Sequence, residues 1–137
     1  MAKREQLVKE AMEWVGTPFH ANQAAKGLGA DCVGTVAGIA TACGITLSGV
    51  KRAYPLQPDG TLKPYMDSHL ERVEGNPAAG DVLLMAFDGT EPHHLAMYIG
   101  DGKIVHAYVG ARRVAMQAYT EHWKNMVVGV YRFPGVE

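Results

Sequence analysis

The sequence predicts an α+β domain, helices first and an antiparallel sheet second. Two observations carry that reading. Helix-period and small-apolar patterns fall in the first half of the chain, and after Pro77-Ala78-Ala79-Gly80 the pattern changes to short apolar runs separated by turns. The 137 residues, 47% of them apolar and 20% charged, suit one domain over residues 1–137 with one core.

Residues 3–15 read as an amphipathic helix, with Leu7, Ala11, Trp14 and Val15 on one stripe. Gly16 and Pro18 end it. Residues 17–31 read as a loop closing on Asp31, a favoured N-cap. Residues 32–42 are almost all small and apolar, as in a buried helix. Gly34 and Gly38 lower its helix propensity, so they are expected to allow close packing. Pro58-Asp59-Gly60 marks a turn within residues 45–61, and residues 62–73 read as a short helix. Strands are expected over 81–87, 94–99, 103–108, 112–117 and 126–133, about five in all.

The charge balance is close to neutral, 13 Lys plus Arg against 14 Asp plus Glu. No basic footprint suggests a nucleic-acid partner. No run approaches the ~20 apolar residues of a membrane span. The amino-terminal stretch is charged and lacks a signal-peptide core, so synthesis in the cytoplasm is expected.

Cys32 stands at the first turn of the apolar helix. A helix N-terminus offers unpaired N–H groups and partial positive charge, which favour a thiolate and can hold an oxyanion. A thiol pKa below the usual ~8.5 is therefore expected. A small buried residue is the alternative reading of Cys32. Cys43, late on the same helix, reads as core. Eleven residues of helix separate the two by ~16 Å of rise, too far for a disulfide, whose Cα atoms lie within ~7 Å.

Six histidines could supply a base: His20, His69, His93, His94, His106 and His122. If Gly100-Asp101-Gly102 is a three-residue hairpin loop, Ile99 pairs with Lys103 and Ala96 with His106. His94 and His106 then share a face as diagonal neighbours. A two-residue turn would place them on opposite faces. Together with Cys32 they have the makings of a nucleophile, a base and an orienting group. Zinc binding by the same three residues is the competing reading, although the usual ligand spacings are missing.

These segments resemble the NlpC/P60 family of cell-wall peptidases. The matching runs are Gly16-Thr17-Pro18-Phe19, Asp31-Cys32-Val33-Gly34, Ala79-Gly80-Asp81-Val82-Leu83-Leu84-Met85, His94-Leu95-Ala96-Met97-Tyr98-Ile99-Gly100 and Ile104-Val105-His106-Ala107. The ending Val128-Gly129-Val130-Tyr131-Arg132-Phe133-Pro134-Gly135 resembles the short phage-type members. The resemblance implies a papain-like fold, Cys32 as nucleophile, His94 as base and His106 as the residue that orients it. It implies hydrolysis of a peptidoglycan stem-peptide amide, such as D-γ-glutamyl-diamino acid, without metal or organic cofactor. It also implies phage tail proteins as partners. Many members carry a tyrosine near the oxyanion site; here the region reads Phe19-His20, which become candidates for substrate binding. Acyl transfer on the same apparatus and a non-catalytic tail component are the alternatives.

Overall fold

The computed structural model describes residues 3–45, 62–87 and 91–136. The turn expected at Pro58-Asp59-Gly60 lies outside them. Among the described residues, helices α1 (Arg4–Trp14), α2 (Cys32–Ala42), α3 (Leu62–His69) and α4 (Glu121–Lys124) accompany eight strands. The strands are β1 (Ala24–Ala25), β2 (Gly29–Ala30), β3 (Glu71–Val73), β4 (Val82–Met85), β5 (His94–Gly100), β6 (Lys103–Tyr108), β7 (Arg113–Ala118) and β8 (Val127–Arg132). Strands β1 and β2 form a small antiparallel ribbon inside the segment expected to be a plain loop. The other six form one antiparallel sheet in the order β3-β8-β4-β5-β6-β7. The expected α+β architecture is therefore present, with helices packed on an antiparallel sheet.

Residues 62–73 do not form one helix. The chain leaves α3 at His69, whose ring stacks on Tyr65 and whose Nδ1 lies 3.0 Å from the Tyr65 carbonyl. Residues 71–73 then pair with β8 as an edge strand. Val73 alone of the three is even partly buried, so the burst of polar residues hid a strand.

Alternation splits the sheet into two apolar faces. Val82, Leu84, Leu95, Met97, Val105, Ala107 and Val114 face α1 and α2, joining Leu7, Ala11, Trp14, Val36, Ile39 and Ala40. Leu83, Met85, Ala96 and Ile104 face the other way, under Trp123 of α4. Strand β4 is buried on both faces, in keeping with its unbroken Val82-Leu83-Leu84-Met85 run.

Helix α2 lies close to its neighbours because two of its residues have no side chain. A Cβ on Gly38 would fall 2.3 Å from the Trp14 ring, and one on Gly34 would fall 2.0 Å from the Gln23 carbonyl oxygen. The helix is buried along one face, and its last residues, Thr41 and Ala42, are exposed. Asp81 fastens the two ends of the fold together. Its buried carboxylate accepts from Arg4 of α1 at 3.1 Å, from Arg132 of β8 at 3.1 and 3.2 Å, and from the Ala78 amide at 2.8 Å.

Candidate active site

The tip of α2 is capped by Asp31, which is 1% exposed. Its Oδ1 accepts from the Gly34 amide at 2.8 Å and its Oδ2 from the Asn22 amide at 2.6 Å. Its carbonyl accepts from the Thr35 amide and hydroxyl. One carboxylate thus ties the helix start to the incoming loop, and Cys32 follows at the first helical position.

The Cys32 sulfur rests against the opening of β5. Its thiol donates to the His93 carbonyl at 3.7 Å, and the Leu95 amide donates to the sulfur. Those two backbone groups bracket His94. The Val33 and Cys32 amides also favour the anionic sulfur. Desolvation outweighs them, and the Asp31 charge adds to it, so the thiol is pushed up to about 11. This reverses the expectation of a lowered value. The helix tip acts as foreseen, but burial of the sulfur against β5 acts against it and is stronger.

His94 begins β5 and is 5% exposed; His106 sits within β6 and is 1% exposed. His94 Nε2 and His106 Nδ1 are 2.7 Å apart. The hairpin that brings them together is not the three-residue loop expected. Gly100 pairs with Lys103 around a two-residue turn, Asp101-Gly102, with both turn residues at positive φ. A bulge at Ile99 then restores the pairing, so Tyr98 meets Ile104 and Met97 meets Val105. Those pairs belong to the register the longer loop would have produced, and the two histidines share a face.

Aromatic rings enclose the pair. Tyr108 lies parallel to His106 at 5.4 Å, Trp123 meets it edge-on at 4.8 Å, and Phe87 lies 5.0 Å from His94. Desolvation lowers the pKa of both rings. The neighbouring His106 and His93 lower His94 further, and Gln117 partly offsets the effect on His106. The Cys32 thiol and the His94 imidazole therefore both rest neutral near pH 7.

Gln117 of β7 was not singled out in the sequence. Its Oε1 lies 2.5 Å from His106 Nε2. No motif marks it, and its approach depends on the β6–β7 register, in which Ile104 faces Gln117 and His106 faces Ala115.

The segment carrying Phe19 and His20 pairs with Ala30, two residues before Cys32. Phe19 bridges Ala30, and the His20 amide donates to the Ala30 carbonyl at 3.1 Å. The Phe19 ring is partly buried against the core, whereas His20 is exposed. His93 and His122 border the pair without joining its hydrogen bond. His93 has its Nδ1 2.9 Å from the Glu91 carbonyl and packs edge-on against Phe87, and His122 packs against Trp123. Among the described residues there is no His, Cys, Asp and Glu group suited to a metal ion, and no helix long and apolar enough to cross a membrane.

Solved structures share this fold. An NlpC/P60 family protein from Bacillus cereus superposes with a TM-score of 0.73 at 26% identity, over 95% of this chain and 40% of its own. NlpC2 from Trichomonas vaginalis superposes with a TM-score of 0.76 at 18% identity, over 95% of this chain and 46% of its own. The NlpC/P60 domain of the peptidoglycan hydrolase SagA, matched over 98% of its length, gives 0.68 at 19% identity. Tail tip assembly protein K of Escherichia phage lambda is 34% identical over 53 residues, 39% of this chain. The chain spans only about a quarter of that protein, 26%. Residues 14–132, from the end of α1 through β8, match the NlpC/P60 family, and with the helix-on-sheet fold they establish that this chain belongs to it.

Proposed function

We propose that this protein is a cysteine hydrolase that cleaves an amide bond in peptidoglycan stem peptides, Cys32 being the nucleophile, His94 the base and His106 its orienting partner. One observation carries the reading. The Cys32 sulfur, at a capped helix tip, sits on the backbone groups either side of His94, and His94 is hydrogen-bonded to a second buried imidazole. The naming of SagA as a peptidoglycan hydrolase supports the substrate class. The likeness over 53 residues to a phage tail tip assembly protein supports work at the tip of a tail. A bond such as D-γ-glutamyl-diamino acid is the one the family resemblance implies.

The reaction follows from the neutral resting pair. His94 Nδ1, the ring nitrogen that His106 does not engage, takes the thiol proton as sulfur attacks the carbonyl carbon. The tetrahedral oxyanion is held by amides at the helix tip. The C–N bond breaks, and the amine leaves with the proton from His94. Water, giving its proton to His94, then attacks the thioester, and Cys32 leaves as the thiol. Exposed His20, whose backbone amide donates to the Ala30 carbonyl, is the proposed substrate contact, and Phe19 anchors that segment in the core.

The test is digestion of purified muropeptides followed by mass spectrometry. The native protein yields cleaved stem peptides; Cys32→Ala yields none while melting as a folded protein. Full activity in Cys32→Ala would sink the mechanism. No cleavage by the native protein, with binding to isolated tail components, would favour a non-catalytic tail role.

A further inference from the structure

We propose that Gln117 is a positioning residue that sets the tautomer of both buried histidines, so that the free lone pair lies on His94 Nδ1. The proposal deepens the hydrolase reading and rests on it for its catalytic consequence. The carboxamide oxygen of Gln117 only accepts hydrogen bonds, and it lies 2.5 Å from His106 Nε2. His106 must therefore carry its proton on Nε2. Its Nδ1 is then a bare acceptor, and the contact at 2.7 Å places a proton on His94 Nε2. A neutral His94 with its proton on Nε2 has its lone pair on Nδ1.

The reverse orientation of the carboxamide has the opposite result. An N–H of Gln117 aimed at His106 Nε2 would drive the His106 proton to Nδ1. His94 Nε2 would have to accept it, and His94 Nδ1 would be left protonated and useless as a base. One amide orientation on β7 therefore decides, two rings away, whether the base is competent. Without Gln117, His106 could hold its proton on either nitrogen. The rings themselves are held by Tyr108, Trp123 and Phe87, so what Gln117 adds is the choice of proton position.

Histidine tautomers can be read directly from two-bond proton–nitrogen correlations in ¹⁵N-labelled protein. Spectra at pH 8 are compared for the native protein, Gln117→Leu and Gln117→Glu, each checked for folding by melting; Gln117→Met serves where the leucine variant does not fold. The native protein is expected to show His94 and His106 both protonated on Nε2. The leucine variant loses that uniformity, and its muropeptide kcat falls at least about tenfold with little change in KM. That is short of the ~10⁴ lost when a partner enforces the wrong tautomer. The glutamate variant, whose carboxylate only accepts, keeps the native tautomers and comes within a few-fold of native kcat. A native spectrum with His94 protonated on Nδ1, or tautomers unmoved in the leucine variant, overturns the proposal. A tautomer shift without any muropeptide cleavage by the native protein leaves the role of Gln117 standing and removes the hydrolase reading. Cleavage that depends on Cys32 but is accompanied by unmoved tautomers does the reverse.

Discussion

One hydrogen bond joins His94 Nε2 to His106 Nδ1 across 2.7 Å, inside a shell of aromatic rings where neither neutral ring readily takes a further proton. Both folded-state pKa values lie below the ordinary histidine value of about 6.5. As pH falls below that value the unfolded chain binds protons that the folded one refuses, so acid favours unfolding. The stability these groups contribute is complete above about pH 6.5 and is lost as pH falls through their folded values. The melting temperature should fall steadily from pH 7 to pH 5, and less steeply in a His94→Gln/His106→Gln double variant. Equal slopes in the two proteins would contradict the buried neutral pair.

Alkylation reports on the thiol. With Cys32 held up to about 11, its thiolate fraction at pH 7 is on the order of 10⁻⁴. Labelling of Cys32 by iodoacetamide, located by mass spectrometry, should quicken roughly tenfold per pH unit from 7 to 9. A plateau near neutrality would mean that a thiolate–imidazolium pair already exists in the resting protein.

The two helix glycines give a test of sign. Intrinsic propensity alone makes Gly→Ala in a helix stabilising by about 1 kcal/mol. A Cβ at Gly38 would instead strike the Trp14 ring, so Gly38→Ala should cost about 1–3 kcal/mol in urea unfolding. Gly34→Ala strikes backbone, the Gln23 carbonyl, and should displace the loop that Asp31 ties to the helix tip. Turnover should fall with it. A stabilised Gly38→Ala would show that α2 packs more loosely than described.

Removing the Asp81 carboxylate strands two arginines. The side chains of Arg4 and Arg132 are 22% and 29% exposed, so water relieves part of the penalty. Asp81→Ala should cost about 2–4 kcal/mol, toward the lower side of a fully buried pair. Denaturant titration measures it, and a change under 1 kcal/mol would mean that the arginines find other partners.

What was legible in the sequence was whatever depends on near neighbours. The small residues of α2 and its Asp31 cap follow from chemistry within one turn of helix; that Gly34 and Gly38 allow close packing was legible too, but not that Gln23 and Trp14 are the neighbours they admit. The facing of His94 and His106 was legible through alternation along β5 and β6, even though the loop that produces it is a tight turn with a bulge. What depends on contact between distant segments was hidden. The raised Cys32 thiol comes first from burial where the helix tip meets β5, and the charge of the N-cap Asp31 adds to it. Gln117 follows the turn Val109–Ala111, and the register beyond that turn has no signature in the residues. The edge strand β3 was masked because its polar residues continue the pattern of α3.

The row Gln117–His106–His94 takes one side chain from each of three adjacent strands, and its spacing is borrowed from a ladder whose rungs stand about 4.8 Å apart. Nothing in the row hangs from a loop tip that could fray alone. Amide hydrogens of β5 and β6 around the two histidines should therefore exchange with deuterium only through whole-molecule opening, the slowest class. Heating would then silence the row and melt the sheet in a single event, with no temperature at which a folded molecule has lost its alignment.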